Sequence, residues 1–279
     1  MSEMNGNQNQ DWRAQKETER KETMHMINDA SVEIMLSPVR FKNYLKLQGM
    51  FDRYSVANVL LINKQKPGAT KLKDFKSWSE EGRKILKGEK GINIIQPEKY
   101  QKQDGTEGIS YNVKKVFDVS QVTGIEREAF RNKPQRIADV LMKTCSFPVQ
   151  EVAKLDFESN GVYYDENQKT LFVVSSEKGK DYFCQYLALE IGFAEVQKRA
   201  AGMSETMANF QAKCIACEVC SRYGQDTQCF EFDDIPAEWR KMESKKLRGV
   251  LDNIRADANR IIARGNEVLY HKEKEAEAR

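Results

Sequence analysis

The sequence predicts an α+β protein of two units, and three observations carry that expectation. Apolar residues recur at three- and four-residue steps in two separate blocks, the signature of amphipathic helices. Each block adjoins a pair of short β-type runs joined by a turn, at Asp104-Gly105 and at Asp165-Glu166-Asn167-Gln168. A length of 279 residues suits two domains at roughly 150 residues each.

Residues 1–30 are polar, begin Gly/Asn/Gln-rich, and are read as a mobile tail running into a short helix. From Val32 the steps Val39, Phe41, Tyr44, Leu45, Leu47 and Phe51 predict a first amphipathic helix as far as Tyr54. Ser55 can cap a second, with Val56, Val59 and Leu60 on its apolar face, ended by Pro67-Gly68. Lys64 to Lys71 is then an exposed basic loop. Asp74 to Ile85 predicts a third short helix bearing Trp78, followed by the turn Lys87-Gly88-Glu89-Lys90-Gly91. Ile92, Ile94 and Ile95 begin a strand whose partner runs through Tyr111, Val113, Val116 and Phe117.

Residues 31–124 form the first expected domain and 125–140, with Pro134, a linker into a helix over Ile137 to Met142. The second domain, 141–279, should open with a strand over Phe147 to Val152 and a hairpin of Gly161 to Tyr164 with Thr170 to Val174. Helices over about 180–199, 206–223 and 236–264 follow, the last with Leu247, Val250, Leu251, Ile254, Ala258, Ile261 and Ile262 at helical spacing.

Composition narrows the class. The chain is 40% hydrophobic and 31% charged, which suits a soluble globular protein. Its longest aliphatic run, Val59-Leu60-Leu61-Ile62, is far short of the ~20 residues of a membrane span. The first twenty residues have no secretory apolar stretch, so a cytoplasmic location is expected. Six cysteines, three as Cys214, Cys217 and Cys220, do not resemble a disulfide framework.

The net charge of +3 conceals an uneven distribution: residues 31–124 carry 17 Lys or Arg against 10 Asp or Glu, while 1–30 carry 4 against 6 and 125–279 carry 24 against 26. A basic segment attracts phosphates by counterion release, although lysine-rich faces are also often merely solvated.

The strings Tyr54 to Ile62, Gln65-Lys66-Pro67-Gly68-Ala69-Thr70, Trp78, Lys87-Gly88-Glu89-Lys90-Gly91-Ile92 and Val116-Phe117-Asp118-Val119-Ser120-Gln121 occur in this order over about 90 residues. Together they resemble the N-terminal single-stranded-DNA-binding domain of ArdC-type antirestriction proteins, found also in TraC- and LtrC-like proteins of plasmids and conjugative elements. The resemblance implies binding of single-stranded DNA without strong sequence preference, in a bacterial protein of a mobile element.

The residue types suit that partner, since non-specific single-strand binding needs a positive groove and aromatic faces for stacking. Candidate contacts are Arg53, Tyr54, Asn58, Lys64, Lys66, Lys71, Lys73, Trp78, Arg83, Lys84, Lys87 and Lys90, with Phe75 a further aromatic candidate. Trp78, Phe75 and Tyr54 stand equally well as core residues, and Asn58 as a hydrogen-bonding group within its own domain.

In the same family a zinc-metallopeptidase-like (zincin-like) domain with a His-Glu-x-x-His helix follows. Here the corresponding helix, Asp181 to Ala194, places Leu189, Glu190 and Phe193 at those positions, with Lys213 near the third ligand. Zinc requires lone-pair donors that leucine and phenylalanine lack. No metal, cofactor or catalytic residue is expected, and the stripes Tyr186/Leu189/Phe193/Val196 and Phe183/Leu187/Ile191/Ala194 predict that hydrophobic core fills the position. The cysteines do not replace the ligands, because at ~100° per residue Cys220 points about 120° from Cys214. The domain is read as a pseudo-metallopeptidase that serves as scaffold or protein-interaction surface. The rivals are a hydrolase, protease or nuclease, with an unrecognised site, and an interaction module without DNA binding.

Overall fold

The computed structural model describes residues 2–102, 104–124, 134–157 and 159–277, with side chains outside 2–10, 13, 134–136 and 270–277. In chain order the elements are α1 (Ser2–Glu33), α2 (Pro38–Met50), α3 (Val56–Gln65), β1 (Leu72–Lys73), α4 (Phe75–Glu80), β2 (Ile92–Gln101), β3 (Glu107–Asp118), α5 (Pro134–Lys143), β4 (Val149–Val152), β5 (Val162–Asp165), β6 (Thr170–Val174), α6 (Phe183–Gln197), α7 (Glu205–Arg222), α8 (Ala237–Arg240) and α9 (Ser244–Glu277). The expected α+β class is present. No described helix is long and apolar enough to cross a membrane.

Two compact units divide this chain, Met1–Ile34 with Ser55–Arg127, and Met35–Tyr54 with Glu128–Arg279. The expected first domain, 31–124, therefore departs from this division on its N-terminal side. Residues 2–33 are not a tail: α1 buries Thr23, Ile27, Ala30 and Ser31 at helical spacing and packs against α3. Conversely, the helix expected to open the first domain, α2, joins the second unit. Its Phe41 stacks on Phe210 at 6.0 Å and meets Phe232 edge-on at 5.4 Å, so an aromatic cluster decides its allegiance. Gly49 of α2 lies so close to α7 that a Cβ there would fall 2.1 Å from the Glu218 carbonyl oxygen. Of the expected linker, residues 125–133 lie outside the described residues, and Pro134 opens α5.

In the first unit the sheet order is β1-β3-β2, antiparallel throughout, with the β2–β3 hairpin running from Ile92 opposite Val116 to Gln101 opposite Glu107. Strand β2 is an edge, and α3 closes part of it with side-chain amides. Asn58 donates to the Ile95 carbonyl at 2.9 Å and accepts its N–H at 2.8 Å; Gln65 does the same for Asn93, at 3.0 and 2.9 Å. These amides satisfy backbone groups that an edge otherwise leaves to water or to another chain. The helix expected over Asp74 to Ile85 stops at Glu80, because Gly82 takes φ +71° and Arg83 N–H returns to the Trp78 carbonyl at 3.0 Å.

In the second unit β4 runs parallel to β6 and β5 antiparallel to it, giving the order β4-β6-β5. Helices α6, α7 and α9 supply most of its core, and the long last helix begins at Ser244 because the short α8 occupies 237–240. A buried ion network joins α6 to α9: Glu195, fully buried, pairs with Lys198 at 2.9 Å and Arg264 at 2.6 Å, and Asp257 pairs with Arg199 at 2.7 Å. Arg260 reaches both acids.

Candidate nucleic-acid interface

The expected contact residues of the first unit cluster on two loops that share one anchor. That anchor is Asp118, 1% exposed at the end of β3. One carboxylate oxygen accepts the backbone N–H groups of Thr70 and Lys71, at 2.7 and 3.0 Å, and the other accepts that of Ser120 at 2.9 Å. The Gln121 side chain returns to the Asp118 N–H at 2.9 Å, completing a capping box, and its amide donates to Glu89 at 2.7 Å and to the Lys90 carbonyl at 2.9 Å. One acid and one amide thus pin the loop before β1 and the glycine turn before β2. Burial pushes the Asp118 carboxyl up, but the bonds from Ser120, Thr70 and Lys71 more than offset it and hold the pKa below the ordinary 3.8.

Charge gathers on this frame. The Lys71 and Lys73 ammonium groups lie 5.6 and 5.5 Å from the Trp78 ring centroid, and the Arg83 guanidinium 6.0 Å. Arg83 also donates to the Thr123 carbonyl at 3.3 Å and to that of Gly124. Lys71, Lys84, Lys87 and Lys90 are exposed and Lys66 half-buried; among the described residues none of the five has an ion-pair partner. Lys73 pairs with Glu81, and Lys64 with Glu33 of α1.

Three expected contacts have other occupations. Trp78 is 0% exposed and its indole N–H donates to the Phe117 carbonyl at 2.9 Å, so it is a core ring unavailable for stacking. Asn58 is engaged by β2 as described. Tyr54 is half-buried, edge-on to Phe51 at 5.8 Å, and belongs with exposed Arg53 to the second unit. Sequence reasoning assigned no role to Asp118, Gln121 or Gln65. An aspartate followed three residues later by glutamine at a strand end is the capping signal that could have marked the first two.

The residues expected at the positions of a zinc motif, Leu189, Glu190 and Phe193, lie on α6. Leu189 and Phe193 are half-buried there and offer only hydrocarbon, while Glu190 accepts the Tyr164 N–H of edge strand β5 at 2.8 Å. The surroundings desolvate Glu190 and push its carboxyl up to about 7 despite that bond. Of the two expected apolar stripes, Phe183, Leu187, Ile191 and Ala194 are buried, while of the other only Val196 is, Tyr186, Leu189 and Phe193 being half-buried. Lys213 pairs with Asp234 at 2.8 Å and lies 5.5 Å from the rings of Phe210 and Phe232. Cys214, Cys217 and Cys220 are buried in α7, where desolvation pushes the Cys217 thiol up to about 12. Among the described residues no group of three or more His, Cys, Asp or Glu could hold a metal ion.

Residues 37–136 match the family model of the N-terminal domain of anti-restriction factor ArdC. The resemblance carried by the five sequence strings is thereby shown for this segment. Two crystal structures of the antirestriction ArdC protein from the R388 plasmid are similar to the chain, each 14% identical to it. The Mn(II)-bound one has a TM-score of 0.50 over 88% of this chain and 95% of its own, and the metal-free one 0.48 over 77% and 86%. The former likeness extends the shared fold across both units. No curated protein matches the chain.

Asp118→Asn is expected to destabilise the protein by about 2 kcal/mol, because an amide N–H would face backbone donors in a buried site. A folded-state pKa below 3.8 also means that the stabilisation is present above that value and lost as pH falls through the folded pKa. Urea unfolding at pH 7 and pH 3 checks this, the variant showing the smaller acid loss. Glu190 works with the opposite sign. Its folded pKa, raised from 4.5 to about 7, makes stability fall as pH rises between those values. Glu190→Gln is expected to flatten that part of the curve and to gain on the wild type above pH ~7.

Proposed function

We propose that the chain binds single-stranded DNA without sequence preference through the lysine-bearing loops of its first unit. The observation that carries this is the common anchoring of those loops by Asp118 and Gln121, which present Lys66, Lys71, Lys84, Lys87 and Lys90 with no acidic partner among the described residues. Cations held by a fixed backbone suit a phosphate chain, and the rigid frame lowers the ordering loss on binding. Lys73 and Arg83 extend the same surface.

Antirestriction or conjugation-accessory service to a mobile element, in a bacterial cytoplasm, is the physiological setting we propose, and the ArdC match over 37–136 supports it. We propose further that the second unit has no peptidase activity and acts as scaffold or protein-binding surface. The hydrocarbon of Leu189 and Phe193 supports this, as does the engagement of Glu190 by a strand-edge N–H.

Lys87→Ala combined with Lys90→Ala tests the DNA reading. Binding to a single-stranded oligonucleotide should weaken, and the slope of log K against log salt should become shallower by about 1.4, at about 0.7 per phosphate contact. An unchanged slope would place the phosphate track elsewhere.

A further inference from the structure

We propose that Phe75 is the base-stacking platform of this unit, the ring on which one nucleobase of a bound single strand lies. The inference rests on the DNA-binding reading above and adds a ligand contact to it. With Trp78 withdrawn into the core, the phosphate loops would have no aromatic partner unless another ring stood beside them. Phe75 does: it opens α4, is 65% exposed, and follows Lys73 and Asp74 directly in the chain.

An exposed phenylalanine needs no function by itself. Its setting separates it from the other exposed apolar residues. Three residues, close to one helical turn, separate it from Trp78, so the two project from neighbouring positions of α4. Trp78 is the ring about which Lys71, Lys73 and Arg83 gather within 6.0 Å. Two more cations lie close by. Asp74, the residue preceding Phe75, is held low first by the Ser77 N–H and also by the charges of Lys114 and Lys76. Three cations about the buried neighbour Trp78 and two acting on the adjacent Asp74, with Asp74 capping α4 and Glu80 and Glu81 engaging Lys76 and Lys73, make the surface beside exposed Phe75 poorly suited to an apolar protein segment. They match a polyanion that also carries flat apolar faces, and single-stranded DNA has both. Phe75 would therefore discriminate strands with bases from those without, while the lysines respond to phosphate alone.

The test uses the full chain with a fluorescein-labelled oligothymidylate and an abasic oligomer of the same length, titrated by anisotropy. The wild type should bind the thymidylate more tightly than the abasic strand. Phe75→Ala should weaken thymidylate binding roughly 5- to 150-fold, leave abasic binding and the salt slope unchanged, and be rescued by Phe75→Trp. Thymidylate binding by Phe75→Ala equal to the wild type would overturn the stacking role and leave the DNA-binding reading intact. A wild type that binds neither oligomer at low salt would overturn both.

Discussion

A buried aspartate stripped of water is unfavourable unless hydrogen bonds replace the lost hydration, and Asp118 receives them from three backbone N–H groups. Because those donors belong to two separate turns, satisfying the charge also fixes the chain that leads into β1 and the short helical turn that follows β3. Gln121 carries the same constraint to a third segment, the turn holding Glu89 and Lys90. The lysine loops are therefore consequences of one desolvated carboxylate. Positive loops that would otherwise repel one another are tied at their backbones, which leaves their ammonium groups facing outward.

The second unit shows what determines the outcome for a buried acid. Glu195 has cations on α6 and α9 and is held below its usual range, the bonds to Lys198 and Arg264 outweighing the effect of burial. Glu218, equally buried in α7, has a carboxylate oxygen without a partner among the described residues, and burial pushes its carboxyl far up. Glu190 lies between these cases, with one backbone donor and no cation. Its single bond ties this carboxylate to the edge of β5. The half-buried Leu189 and Phe193 beside it add hydrocarbon to the same helix.

Most helices after the N-terminal one and both hairpins were legible in the sequence because their periodicities are local, and Gly105 at φ +80° serves the hairpin turn that Asp104-Gly105 announces. Long-range allegiance was not legible. Nothing within Pro38–Met50 reveals that Phe41 will join Phe210, Phe232 and Trp239, and nothing within the polar N-terminal segment reveals that Ile27 and Ala30 will find α3. The lysines of the candidate surface could be read from charge alone. Which aromatic ring faces solvent could not, because Phe75 and Trp78 share a short helix and only the path of β3, whose Phe117 carbonyl takes the indole N–H, determines which is buried.

That the anchored lysine surface is a single-strand site is tested most directly by anisotropy of the full chain. Labelled single-stranded and double-stranded oligonucleotides of matched length are titrated at two salt concentrations. Tighter binding to the single strand, weakening as salt rises, is the predicted result. Equal or stronger binding to the duplex, or no binding to either at low salt, would contradict it.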